Sequence, residues 1–181
     1  KKIIQEIKKK LDFPVVVKPI NEGSSVDVYI CNKSNFINNL FKLESYGEAL
    51  IEKFIPGREI QVAILGKRKL GAIELKPKRK FYDYEAKYNP RAKTEHIIPV
   101  RISSENYNKI TSLALKAHQL LKCRGVSRAD FRFHENKFYL LEINTQPGMT
   151  SLSLVPEIAS YCNISFCQLI ENIMKDASIN K

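Results

Sequence analysis

Two stretches of this sequence gather the residue types that hold a hard cation. In Val126-Ser127-Arg128-Ala129-Asp130-Phe131-Arg132-Phe133, a strand would place Arg128, Asp130 and Arg132 on one face, because side chains alternate with a period of two. In Phe138-Tyr139-Leu140-Leu141-Glu142-Ile143-Asn144, the same alternation groups Glu142 with Asn144. If an odd number of residues joins the two strands, Asp130 lies opposite Glu142 and Arg128 opposite Asn144. An even loop would set Asp130 against Leu141, on the wrong face. Two carboxylates and an amide oxygen suit magnesium, which takes few oxygens from protein and the rest from water and phosphate. The pattern alone also fits a solvent-facing set of charges on a strand pair.

Three further segments have the chemistry of phosphate and nucleotide binding. Lys18 ends a short β-branched strand just before Glu22-Gly23-Ser24-Ser25, a turn whose glycine and hydroxyls can cradle phosphate. Glu52-Lys53-Phe54-Ile55-Pro56-Gly57-Arg58-Glu59 reads as a junction, where backbone groups and apolar side chains can receive a base. From Lys76 to Lys93, the basic residues Lys76, Lys78, Arg79, Lys80, Lys87, Arg91 and Lys93 face only Asp83 and Glu85. A stretch this long without a period reads as a lid or binding element, or as a solvated loop.

The elements that must position these residues follow from periodicity and punctuation. Ile3, Ile4, Ile7 and Leu11 predict a helix ended by Phe13-Pro14, and Val15-Val16-Val17 a strand returning over Val26 to Cys31. Ser34 to Leu43 reads as a helix with Ser34 as its N-cap, and Ala49 to Ile55 as a strand. Arg58 to Leu65 and Leu70 to Leu75 read as strands joined by Gly66-Lys67-Arg68-Lys69. Ser103 to Cys123 carries the longest helical stripe, with Ser103 or Ser104 as cap and Gly125 as terminator. Strands over Val126 to Phe133 and Phe138 to Ile143 precede a turn-rich loop, then helices over Leu154 to Tyr161 and Ser165 to Met174. The last seven residues are expected to fray. Tight turns between neighbouring strands require antiparallel pairing, so the chain is α+β in two lobes, 1–55 and 56–181, hinged near Phe54 to Gly57.

Composition narrows the class. The chain has 181 residues, 44% hydrophobic and 27% charged, which excludes disorder as its main state. Thirty Lys and Arg against nineteen Asp and Glu give a net charge of +11, which favours polyanions. There is no aromatic-rich RNA-binding signature and no recognition-helix motif, so nucleic acid is not expected as a partner. No apolar run approaches the roughly eighteen residues of a spanning helix, so membrane insertion is not expected either. Cys31, Cys123, Cys162 and Cys167 lack zinc-knuckle spacing and read as free thiols of a reducing, cytoplasmic compartment. The chain begins at Lys1 without Met and reads as cut from something longer.

Taken in order, Val16-Val17-Lys18-Pro19, Glu22-Gly23-Ser24-Ser25, Glu52-Lys53-Phe54, Gly57-Arg58-Glu59, Phe81 to Tyr88, Arg128-Ala129-Asp130 and Glu142-Ile143-Asn144-Thr145-Gln146-Pro147-Gly148-Met149-Thr150 resemble the C-terminal two-thirds of the D-alanine–D-alanine ligases, an ATP-grasp family. The resemblance covers nearly the whole chain. It implies an ATP-grasp fold with antiparallel sheets and flanking helices. Residues 1–55 would be the remainder of the central lobe and 56–181 the C-terminal catalytic lobe, with the family's N-terminal domain absent. It also implies ATP as a substrate, two Mg²⁺ (or Mn²⁺) ions, two D-alanines, and a homodimer at full length. Lys18 and Lys87 would bind nucleotide phosphates, Glu52, Lys53, Phe54 and Ile55 would form the adenine hinge, and Glu59 would take the ribose. Asp130, Glu142 and Asn144 would hold the metal, Arg128 and the N–H of Gly148 would stabilise an oxyanion, and Ser153 and Leu154 would bind the second substrate's carboxylate. Ser24 and Tyr88 would be two members of a hydrogen-bonded triad shutting the lid, and Tyr88, where D-lactate-using relatives tend to have histidine, implies an amine as second substrate.

One residue departs from the family pattern. Asp27 stands where the family usually has glycine, and strand alternation predicts that it points to solvent. Two other readings compete with the ligase: a nucleotide-binding remnant without turnover, and a basic nucleic-acid binder.

Overall fold

The computed structural model describes residues 2–77 and 94–177. Lys87 and Tyr88, and most of the basic stretch from Lys76 to Lys93, lie outside the described residues. Among the described residues the chain divides into two units, one made of residues 2–55 with Pro77 and the other of Pro56–Lys76 with residues 94–177.

In the first unit, alternation along β1 (Val15–Pro19) buries Val15 and Val17 and leaves Val16 and Lys18 on the other face. β1 is central, flanked antiparallel by β2 (Tyr29–Cys31) and β3 (Ala49–Lys53). Its apolar face packs with Ile7 of helix α1 (Lys2–Lys10) and with Cys31, Phe36 and Leu43. Helix α2 (Phe36–Phe41) starts two residues later than expected. The predicted cap, Ser34, instead donates its hydroxyl to Asn32 Oδ1 at 2.6 Å, and Asn35 Oδ1 accepts the Asn32 N–H at 2.8 Å. Asn and Ser side chains offered the backbone a local turn, which displaced the helix start. β2 is also shorter than predicted, because residues 24–27 form a turn closed by the Val26 N–H on the Gly23 carbonyl at 3.1 Å.

The second unit is built on a five-stranded antiparallel sheet in the order β6-β5-β4-β7-β8. Its strands are β4 (Arg58–Leu65), β5 (Arg68–Lys76), β6 (Glu95–Ile97), β7 (Val126–His134) and β8 (Lys137–Asn144). The β4–β5 turn is tighter than predicted, since Leu65 already pairs with Arg68. β6 was not foreseen, because three residues on a sheet edge are too few to show alternation. Helix α3 (Ser104–Leu120) lays Ile110 and Ala114 on Ile60, Val62, Ile64, Ala72, Ala129 and Phe131, forming the main core. Its cap is Ser103, whose hydroxyl accepts the Asn106 N–H at 3.2 Å. Helix α4 (Leu154–Tyr161) packs against β5, where a Cβ on Gly71 would come within 2.9 Å of Ile158. Helix α5 (Phe166–Asp176) opens with a capping box between Ser165 and Gln168 and stays helical through Asp176, two residues into the stretch expected to fray.

Because Ala129 and Phe131 point into the α3 core, Arg128, Asp130 and Arg132 are turned to the opposite face of the sheet.

Candidate functional site

The loop joining β7 and β8 contains two residues, Glu135 and Asn136, with φ of 47° and 59°. Two successive left-handed residues make the hairpin turn that matches strand twist. Such an even loop pairs Phe131 with Leu140 and, continued, would set Asp130 against Leu141. A β-bulge intervenes between Asp130 and Phe131, and beyond it Asp130 pairs with Glu142 and Arg128 with Asn144. The loop is even, yet the facing set forms, because one extra residue in β8 shifts the register, as bulges commonly re-aim side chains.

The side chains of this row interact closely. Arg128 donates to both carboxylate oxygens of Asp130, from Nε to Oδ1 at 2.7 Å and from Nη2 to Oδ2 at 2.8 Å. This is the bidentate geometry a guanidinium offers a carboxylate. Asn144 Nδ2 lies 3.3 Å from Asp130 Oδ2 and 3.4 Å from Glu142 Oε1. Asp130, Glu142 and Asn144 thus converge on one point, and a half-turn of the Asn144 amide presents its oxygen there. Among the described residues no three His, Cys, Asp or Glu side chains gather as a metal site. Two carboxylates and one amide instead fit a cation that draws its remaining oxygens from water and phosphate.

Sequence reasoning missed the third strand of the row. β4 lies beside β7 and pairs Gln61 with Asp130, Ala63 with Arg128 and Glu59 with Arg132. Its available signal was a lone amide within the apolar run Ile60-Gln61-Val62. Glu59, the expected ribose ligand, forms an ion pair with Arg132 at 3.2 Å, and Arg132 also donates to the Gly57 carbonyl at 3.1 Å. Gly57 itself has φ of 101°, and a Cβ there would collide with the Phe133 carbonyl oxygen, so only glycine fits this approach to β7.

On the first unit, Lys18 and Glu52 share the polar face of the β1–β3 pair and form an ion pair at 2.6 Å. Lys53 is exposed, Phe54 and Ile55 are half-buried, and the Phe54 N–H is held by the Pro14 carbonyl at 3.1 Å. In the expected phosphate turn, left-handed backbone falls on Ser24, Ser25 and Asp27, with φ of 54°, 60° and 51°, and not on Gly23. Aspartate tolerates the left-handed conformation found at position 27. The expectation that Asp27 points to solvent is overturned. Its carboxylate accepts hydrogen bonds from Tyr29 Oη at 2.7 Å and Tyr46 Oη at 2.6 Å. The bonds from Tyr46 and Tyr29 hold the Asp27 carboxyl below its ordinary range, and Asp27 in turn pushes the Tyr29 phenol up to about 12. Asp27 ties its loop to β2 through Tyr29 and to the segment before β3 through Tyr46.

The loop after β8 gathers around Ser153. Its Oγ accepts the Thr150 N–H at 3.0 Å and lies 2.9 Å from Thr150 Oγ1. A Cβ on Gly148 would come within 2.8 Å of the same Oγ, so glycine lets this loop close on Ser153. Ser153 is the N-cap residue of α4, and the Leu154 side chain is buried, which leaves the Leu154 backbone N–H as that residue's polar contribution. The structure thus brings together Arg128, Asp130, Glu142, Asn144 and Glu59 on three adjacent strands, Gly148 with Ser153 and Leu154, and Lys18 with Glu52. Lys87 and Tyr88 lie outside the described residues.

Known proteins resemble this chain along most of its length. The sequence model described as the D-ala D-ala ligase C-terminus matches residues 1–175. The chain is 67% identical over 179 residues to the D-alanine–D-alanine ligase of Pelagibacter ubique (strain HTCC1062), covering 99% of this chain and 59% of that protein. The chain therefore spans a little over half the length of this curated relative. The crystal structure of the D-alanine–D-alanine ligase from Bacillus anthracis superposes with a TM-score of 0.82 at 34% identity, over 95% of this chain and 56% of that one. The structure of the same Bacillus anthracis enzyme complexed with ATP gives 0.78 at 31% identity, over 95% and 55%. No helix among the described residues is long and apolar enough to cross a membrane. The α+β fold, with its antiparallel sheets and flanking helices, is that of the ATP-grasp ligases, and the chain belongs to the D-alanine–D-alanine ligase family, of which it carries the C-terminal part.

Proposed function

We propose that this chain is the nucleotide-binding and bond-forming portion of an ATP-dependent ligase that joins two D-alanines into D-alanyl-D-alanine, a cell-wall precursor, in the cytoplasm. The observation that carries the reading is the register of β7 and β8, which sets Asp130 beside Glu142 and Arg128 beside Asn144 on one face. Residues 1–55 act as the phosphate-loop lobe and 56–181 as the catalytic lobe. Lys18 binds nucleotide phosphate with Lys87, Glu52 to Ile55 receive the adenine, and Glu59, steadied by Arg132, takes the ribose hydroxyls. Asp130, Glu142 and Asn144 hold Mg²⁺ or Mn²⁺, as two ions, which offset phosphate charge when bound.

In the proposed reaction, a carboxylate oxygen of one D-alanine attacks the terminal phosphorus of ATP, the bridging P–O bond breaks, and ADP leaves. The amine of a second D-alanine then attacks that acyl phosphate, the C–O bond to phosphate breaks, and the amine's proton leaves. Arg128 and the Gly148 N–H donate to the carbonyl oxygen as it gains charge. Ser153 and the Leu154 N–H receive the carboxylate of the second D-alanine at the start of α4, where free N–H groups favour anions. Ser24 and Tyr88 belong to the lid's hydrogen-bonded triad, and the full-length enzyme is a homodimer.

A second reading is that this chain binds ATP without ligation. Phosphate release by the 181-residue chain with Mg·ATP and D-alanine separates the two. D-alanine-dependent release supports the ligase. ATP binding without it supports the second reading, and a chain that does neither refutes both.

A further inference from the structure

Gln61 sits at the inner end of the carboxylate row. It pairs across strands with Asp130, which pairs in turn with Glu142, so three polar side chains on adjacent strands share one face. Exposure rises along the row, from 1% at Gln61 and 5% at Asp130 to an exposed Glu142. Gln61 Oε1 is buried without a hydrogen-bond partner, the single such side-chain atom among the described residues. Buried acceptors are nearly always satisfied, and leaving one without a donor is destabilising. Ile73, paired opposite Gln61 in β5 and fully buried, shows that an apolar residue is tolerated on this face. An amide oxygen kept here at the expense of stability therefore needs a donor that arrives with a ligand.

We infer that Gln61 is a positioning residue of the cation site: its Oε1 accepts a hydrogen bond from a water carried by the divalent cation that Asp130, Glu142 and Asn144 hold. This rests on the function proposed above. Magnesium retains several of its waters in proteins, and those waters are strong donors that need acceptors where they enter a buried wall. Outer-shell partners of this kind orient the direct ligands and set metal affinity. Gln61 contributes the acceptor at the only end of the row closed to solvent.

The test is Gln61→Met, which keeps the side chain's length and removes the acceptor, in the full 181-residue chain. Thermal melting without nucleotide is expected to rise by about 2–4 °C, because the orphaned oxygen is gone. Calorimetric affinity for ATP in excess Mg²⁺ is expected to fall about tenfold, while affinity for ATP in excess EDTA stays unchanged. A merely structural glutamine would show a lower melting temperature and equal losses with and without metal, and that result overturns the inference. Unchanged affinity in Mg²⁺ also overturns it. Should Gln61→Met fail to fold, Gln61→Glu decides: it keeps an acceptor at the same reach, so Mg²⁺-dependent binding at wild-type strength or above supports the role and a loss refutes it. A wild-type chain that binds no Mg·ATP overturns the functional reading and this inference together. Wild-type binding matched by Gln61→Met overturns the inference alone.

Discussion

Arg58 and Glu74 offer a quantitative probe of what holds the second unit around its site. Arg58 opens β4, one residue before Glu59, and donates from Nε to Glu74 Oε1 at 2.8 Å and from Nη2 to Oε2 at 2.6 Å. Nη2 also reaches the Arg101 carbonyl at 3.0 Å, and the guanidinium lies 5.8 Å from the Phe133 ring centroid. Glu74 is only 7% exposed, so Arg58→Met strands a buried carboxylate. Breaking a buried pair from one side costs roughly 3–5 kcal/mol. The Arg58 side chain remains 35% exposed, so water already screens the pair and the lower end, about 3 kcal/mol, is expected. For a chain of this size that corresponds to a fall in melting temperature of roughly 6–12 °C. Arg58→Met combined with Glu74→Leu removes both charges and is expected to return to within about 1 kcal/mol of the wild type, since apolar replacement of a buried pair is often neutral. Urea unfolding followed by circular dichroism measures the wild type, both single variants and the double variant, with the slope confirming that the same surface unfolds. A loss below about 1 kcal/mol in Arg58→Met, or a double variant less stable than either single one, refutes the reasoning.

Three further outcomes are expected. Asp27→Asn should bring the Tyr29 phenol down from about 12 toward its ordinary 10, read as tyrosinate absorbance during alkaline titration; an unmoved transition would show that Asp27 does not hold it. His118, 3% exposed and 2.7 Å from Ser127 Oγ, is kept below its ordinary 6.5 by burial, with Asp176 opposing weakly. The unfolded chain therefore binds the proton first, so this contribution is intact above pH 6.5 and is lost as pH falls toward the depressed folded value; His118→Gln should flatten that part of the stability profile. Arg128→Ala should lower D-alanine-dependent phosphate release by roughly 10²–10³-fold if its guanidinium stabilises the oxyanion, and near-normal turnover would remove it from that role.

Much of this protein is legible along the chain because alternation and capping are local. Val15 and Val17, Asp130 and Arg128, Ser103 and Ser165 each declare their face or their helix end through neighbours a few residues away. The family motif order, likewise, lies in the sequence itself. Four features did not. The extra residue at the β8 bulge decides which face Glu142 takes, and nothing in Leu140-Leu141 announces it, because a bulge is settled by how two strands fit over one core. Gln61 joins the row only when β4 comes to lie against β7, through residues nearly seventy positions apart. Asp27 finds Tyr46 across nineteen residues, which turned a carboxylate expected in solvent into an anchored one. β6 exists because β5 offers it an edge. Local sterics and hydrogen bonding are written into short stretches of chain, whereas register, strand order and the partners of polar groups depend on long-range packing, which only the folded molecule resolves.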